Sequence, residues 1–228
     1  MFVGTGRDLS LQTQKISSTK LNLSLLSEQI AQQDGVEWLG LITGIVYVIL
    51  ATYERPSCWI FGIISSACIA WKSFTDYYLI ADGLLQVFYI VIGIIGLWQW
   101  VKGKSDGHQK PIIIFPIFNH ILSIGICLLL SYPLSWLLIT YASARYGYID
   151  TLLTLLSIWA TWLLIRKELN NWIYWIIIDA VYVALYWGSE GYLFALLFLV
   201  YTVISVWGWN LWRKALRIRG PVDTNKIM

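Results

Sequence analysis

The chain has 228 residues, 58% of them hydrophobic and only 13% charged, where a soluble domain usually carries about a quarter. With a mean hydropathy of +0.65, folding in water would leave large apolar patches without a partner, so a lipid bilayer is the expected surrounding. The net charge of +3 comes without any basic run interleaved with aromatics, which excludes a nucleic-acid surface.

Residues 1–35 are polar with short apolar beats at Ile16, Leu21, Leu23, Leu25, Leu26 and Ile30. No basic region followed by an apolar core and a small-residue cleavage site appears, so the segment reads as a tail leading into a short surface helix. A membrane span needs about 20 apolar residues at a rise of about 1.5 Å each. Seven segments qualify: 36–53, 57–74, 77–101, 111–131, 148–166, 171–187 and 190–212. The breaks between them carry Pro, Gly or charge, as in Glu54-Arg55-Pro56, Lys102 to Pro111 and Arg166 to Asn171. Segment 134–144 is apolar but too short to cross; Pro133 sets it off, predicting an interfacial or re-entrant piece.

The loops orient the chain by the positive-inside rule. With the N-terminus outside, eleven of the sixteen Lys and Arg residues fall on the cytoplasmic side, among them Arg55, Lys102, Lys104, Lys110, Arg166, Lys167 and Arg213 to Arg219. The C-terminus is then cytoplasmic.

The two halves resemble each other. At an offset of 113, Trp59 falls on Trp172, each just past a charged turn. At 112, Tyr89 falls on Tyr201, Gly96 on Gly208, Trp100 on Trp212 and Lys102 on Lys214. Parallel repeats of three helices need one odd helix between them to restore direction. The expected division is a first three-helix repeat at 36–101, a linker helix and interfacial segment at 102–147, a second repeat at 148–214 and a basic tail at 215–228.

An ionisable or amide side chain within a span turns inward, because facing lipid unsatisfied costs several kcal/mol. Trp175, Asp179, Tyr182 and Tyr186 share one helical face, with Asp179 at mid-span. Asp82, Gln86, Tyr89, Gly93, Gly96 and Trp100 repeat the device in the third span, and the seventh offers Tyr201, Ser205, Gly208 and Trp212, with Trp207 and Asn210 nearby. Gly62, Ser66, Gly93 and Ser205 read foremost as close-approach positions. Trp100 and Trp212, at helix ends beside Lys, read as members of an interfacial belt. Asp179 and Gln86 predict a wet cavity. Aromatic faces attract a cationic ring by about 0.5–2 kcal/mol each, a carboxylate adds Coulombic attraction, and amides pair with a carboxamide or hydroxyls. No cluster of buried Arg or Lys is available for phosphate. The expected solute is therefore a neutral or cationic aromatic ring bearing hydroxyls.

An embedded enzyme would need a nucleophile with its base, a metal cluster or a phosphate-binding pair. The chain has no HExxH, GxSxG or DDxxD. Cys58, Cys68 and Cys127 read as small apolar fillers, and His108 and His120 stand apart. No catalysis, metal or cofactor is expected. A non-transporting assembly subunit is the remaining alternative, although the termini are too short to form the soluble domain such a subunit usually carries.

The run Asn171-Trp172-Ile173-Tyr174-Trp175 followed by Asp179, Tyr182 and Tyr186, with Tyr78 to Gln86 through Tyr89 and Gly96-Leu97-Trp98-Gln99-Trp100 in support, closely resembles the PnuC family of bacterial nicotinamide riboside transporters. The likeness runs from about residue 36 to 214. It implies an all-α integral membrane fold of seven helices in a 3+1+3 plan similar to the SWEET carriers, trimeric in the inner membrane. It also implies facilitated diffusion of nicotinamide riboside, trapped by a cytosolic kinase. Carried over by residue, the implied substrate contacts are Trp175, Asp179 and Tyr182, Gln86 and Tyr89, and Asn210. Relatives of the family carry other vitamins, so thiamine and riboflavin remain alternative substrates.

Overall fold

The computed structural model describes residues 23–76, 80–102, 111–142 and 147–219. The expected tail before residue 23 and the basic end after residue 219 lie outside the described residues, as do Tyr78, Lys104, His108, Lys110 and Arg145. Eight helices follow in order among the described residues: α1 (Leu23–Gln32), α2 (Gly35–Thr52), α3 (Cys58–Thr75), α4 (Ile80–Lys102), α5 (Ile117–Ala142), α6 (Gly147–Arg166), α7 (Asn171–Gly188) and α8 (Tyr192–Arg219). Six of them, α2 to α6 and α8, are long and apolar enough to cross a membrane. Helix α7 has the 18-residue length of α2, but Asn171, Asp179 and its Trp and Tyr residues reduce its hydropathy.

Helix α1 buries none of its residues, as a surface helix should. It is tied down by Gln29, whose amide nitrogen donates to the Glu190 carbonyl at 2.7 Å and whose amide oxygen accepts from the Leu193 backbone at 3.0 Å. Asp34 then starts α2 with a capping box: its carboxylate accepts from the Val36 and Glu37 backbone N–H groups, and Glu37 accepts from the Asp34 N–H in return. Lys72 near the end of α3 reaches back to Asp34 at 2.8 Å and also pairs with Asp76. The Lys72 ammonium and these N–H donors hold the Asp34 carboxyl below its usual range.

The fourth span departs from the sequence reading in two ways. It begins at Ile117, after Pro116, because Ile113 instead forms a parallel bridge with Glu168 in the turn between α6 and α7. And it runs unbroken through Pro133 to Ala142 rather than stopping there. A proline removes one helical N–H, but lipid offers the backbone no other partner, so an apolar run on both sides keeps the helix going. The Ser131 and Tyr148 hydroxyls both donate to the Leu128 carbonyl in the turn just before the proline.

Helix α3 packs between α2 and α4, as α7 does between α6 and α8, and the two sets meet through α2 against α8 and α4 against α6. Helix α5 packs on α6 and leaves a long apolar face exposed, including Ile117, Phe118, Leu129 and Tyr132. Residues that correspond at the sequence offsets make corresponding contacts. Trp59 meets Trp100 edge to face at 5.6 Å and 89°, and Trp172 meets Trp212 at 5.5 Å and 89°. Trp100 donates its indole N–H to the Ile165 carbonyl at 3.1 Å, and Trp212 donates to that of Thr52 at 3.0 Å. Each of these bonds crosses from one half to the other. Trp100 and Trp212 are 2% and 1% exposed, so they belong to the core and not to an interfacial belt. Exposed aromatic rings at this end include Trp98 and Trp162, over which Lys102 and Arg166 are placed.

Gly96 and Gly208 make these contacts possible. A Cβ on Gly96 would stand 2.5 Å from Trp59 Cε2, and one on Gly208 would stand 2.8 Å from Trp172 Cε2. Both rings are fully enclosed and cannot give way. Gly96→Ala and Gly208→Ala should therefore each cost about 1–3 kcal/mol by overpacking, while Gly125→Ala, with open space around it, should be near neutral; thermal unfolding in detergent measures all three.

The α6–α7 turn holds a buried carboxyl. Glu168 is fully enclosed, with Oε1 accepting from the Phe115 backbone at 3.2 Å and the Asn170 amide at 2.8 Å, and with no partner for Oε2. Burial pushes its carboxyl up to about 7, against the pull of those donors. A carboxyl raised in the folded state contributes stability that is present at low pH and lost as pH rises through its folded value. Between pH 5 and pH 8 the melting temperature should fall by on the order of 5 °C from this group. Replacing Glu168 by Gln should flatten that slope.

Candidate functional cavity

Between the two three-helix sets lies a cavity of about 230 Å³, below the roughly 300–1,000 Å³ of drug-sized pockets. All six of their helices line it, and neither α1 nor α5 does. From the first half come Tyr47 on α2, Trp59 and Ser66 on α3, and Gln86 and Tyr89 on α4. From the second come Thr161 on α6, Trp172, Trp175 and Asp179 on α7, and Phe198, Tyr201 and Ser205 on α8. No Lys, Arg or His is among the lining residues.

The helical spacing of the stripes explains this convergence, since residues three and four apart share a face. Trp172, Trp175 and Asp179 follow that spacing down α7, as do Phe198, Tyr201 and Ser205 down α8. Asp179 is 3% exposed, with Ser205 beside it. Tyr89 likewise lies beside Ser157. Tyr201 presses its hydroxyl against α2, where a Cβ on Gly44 would stand 2.5 Å from it. Gly62 and Gly93 serve both expectations: they line the cavity, and a Cβ on either would meet Tyr47 at 3.0 Å or Ile63 at 2.8 Å. The indole N–H groups of Trp59 and Trp172 are buried without an acceptor. The site thus offers stacking faces, one carboxyl and one amide, and no positive charge.

Of the six residues singled out in the sequence, Gln86, Tyr89, Trp175 and Asp179 line the cavity. Tyr182 does not. Its ring stacks on Phe198 at 4.8 Å and 25°, and its hydroxyl donates to Asp150 at 3.3 Å. It backs a wall ring instead of forming the wall. Asn210 is exposed on α8 and its amide donates to the Val206 carbonyl one turn earlier, at 2.9 Å, so the structure leaves it out of the cavity. One step along α8 from Trp209 turns a side chain by about 100°, enough to move it from core to periphery.

Tyr47, Phe198 and Thr161 were missed by the sequence reading. Tyr47 had a signal: it is a hydroxyl-bearing ring within the α2 apolar run, on the same face as Gly44 and Ala51. Phe198 had none, being one apolar residue among many in its span.

Comparison with known proteins follows the same line. Residues 34–214 match the family described as nicotinamide mononucleotide transporter. The chain is 24% identical over 210 residues to the nicotinamide riboside transporter PnuC of Escherichia coli (strain K12), covering 81% of this chain and 87% of that protein. The PnuC of Shigella flexneri matches to the same extent. Among solved structures, the vitamin B3 transporter PnuC superposes with a TM-score of 0.65 at 20% identity, over 87% of this chain and 91% of that one. That likeness shares the all-helical fold, and the match across most of the sequence shows that the chain belongs to the nicotinamide mononucleotide transporter family, as a multi-pass membrane protein.

Proposed function

We propose that the protein carries nicotinamide riboside across the bacterial inner membrane by facilitated diffusion, the two three-helix units rocking about the cavity. The observation that carries this reading is a buried carboxyl, Asp179, facing a cavity walled by aromatic rings and free of cationic side chains. A pyridinium ring is cationic and flat, so it gains from Trp175 and Tyr89 by cation–π contact and from Asp179 by charge. The Gln86 amide suits the carboxamide or a ribose hydroxyl. A phosphate dianion would face Asp179 with nothing to neutralise it, which favours the riboside over the mononucleotide and agrees with trapping by cytosolic phosphorylation. Substrate contacts are assigned to Gln86, Tyr89, Trp175 and Asp179, with Tyr182 supporting Phe198 from behind.

The membrane arrangement belongs to the same proposal. Seven crossings, α2 to α8, form a 3+1+3 plan similar to the SWEET carriers, with α5 as the linker; the crosswise packing of the two sets supports this. The ends of α2, α4, α6 and α8 come together and carry Lys102, Arg166, Lys167, Arg213 and Arg219, which supports a cytoplasmic C-terminus and an outside N-terminus. The exposed apolar face of α5 is available to build a homotrimer.

Uptake of labelled nicotinamide riboside into proteoliposomes tests the reading. Uptake should saturate, Trp175→Ala should weaken it by about 3–30-fold, and Asp179→Asn by about 10-fold or more. Asn210→Ala should stay within about two-fold of the parent. Nicotinamide mononucleotide should compete about 100-fold less well. Parent and Asp179 variants with equal, unsaturable uptake would remove the carrier assignment. Preferential competition by thiamine or riboflavin would keep the carrier and change its substrate.

A further inference from the structure

The cavity is closed toward the cluster of basic helix ends by a layered plug. Trp59 and Trp172 form its wall there. Behind them stand Trp100 and Trp212, whose rings are 6.3 Å apart and tilted at 44°. Behind these again, the Lys167 ammonium lies 4.8 Å from the Trp100 ring and 2.9 Å from Glu54 Oε2. Arg219, from the last turn of α8, adds Nη1 contacts of 2.9 and 3.1 Å to the two Glu54 oxygens. The Lys167 and Glu54 side chains are 4% and 6% exposed, while Arg219 is 44% exposed and faces outward.

Glu54 and Lys167 are 113 residues apart, so they are the same position in the two repeats, joined across the axis that relates them. Both hold left-handed backbone, at φ of 55° and 58°, a conformation that non-glycine residues adopt rarely. Each follows the helix, α2 or α6, whose last carbonyls take the crossing indole bonds from Trp212 and Trp100. The ion pair and the two indole bonds therefore all join one half of the protein to the other, and parting the halves at this end breaks them together. A buried ion pair adds little net stability compared with apolar packing and is best attested as a registry or switching device.

We propose that Glu54, Lys167 and Arg219 form the gate of the transport cycle at the basic end, closed in this structure and opened as the two halves separate. This rests on the carrier reading above. None of the three lines the cavity, so they act on passage and not on recognition.

Cys58 is a native reporter for the gate. It is fully buried in the cluster that holds Trp59, Trp100 and Trp212, with Lys167 as a charged neighbour. In full-length protein carrying Cys68→Ser and Cys127→Ser, reconstituted in liposomes, labelling of Cys58 by a small methanethiosulfonate reagent should be slow. Adding Glu54→Gln should raise the labelling rate by about ten-fold, while nicotinamide riboside binding, read by tryptophan fluorescence, stays within about three-fold of the parent. Unchanged labelling in Glu54→Gln overturns the gate. Should that variant not fold, Arg219→Gln removes only the half-exposed arm and should raise labelling by about three-fold; no increase there overturns the gate equally. Absence of binding and uptake in the parent would refute the carrier reading, while the labelling comparison would still decide whether this end opens at the triad.

Discussion

Two tryptophans laid flat on two glycines organise the molecule. Trp59 on Gly96 and Trp172 on Gly208 bring α3 against α4 and α7 against α8 closely enough that a methyl group would not fit. In lipid the hydrophobic effect does not draw one helix to another, so association depends on close packing of this kind. Trp100 and Trp212 then meet those rings edge to face and reach across to the opposite half. Each helix set owes its internal packing to a glycine–tryptophan contact, and the two sets owe their mutual position to the indole bonds that follow from it. The cavity is the space that remains between them.

Much of this was legible in the amino-acid sequence because bilayers impose strong rules. Six of the seven expected spans are helices long and apolar enough to cross a membrane, and Trp59 against Trp172 and Gly96 against Gly208 stand out when the halves are aligned. Asp179 and Gln86 stood out because an unsatisfied polar group at mid-depth has no tolerable place in hydrocarbon. What could not be read was anything decided by a neighbour. Trp100 and Trp212 carry the same local signature as belt residues, a Trp near a helix end beside a Lys, and only packing distinguishes them from Trp98 and Trp162. Pro133 reads as a break under aqueous rules, but the bilayer penalises an open backbone more than a missing hydrogen bond. Asn210 looked like a partner for a solute, yet at its position around α8 it bonds its own helix.

The electrostatics divide by depth. At one end Lys72 gathers Asp34 and Asp76, and at the other Lys167 and Arg219 gather on Glu54. Burial alone lowers the tendency of Lys167 to hold its proton, and the carboxylate of Glu54 opposes that effect. Between these ends Asp179 is the carboxyl that faces the cavity, and no basic group on the lining competes for it. A solute that brings its own positive charge would complete the arrangement.

The duplicated frame is not duplicated in its lining. Asp179 corresponds at an offset of 113 to Ser66, and Trp175 to Gly62; at 112, Gln86 corresponds to Phe198. All six residues border the same space. A fully symmetric cage would accept a guest in either of two poses related by a half-turn with equal ease. Here the carboxyl and Trp175 belong to one half and the amide to the other, so a lopsided guest would have a head and a tail and fit in one sense only.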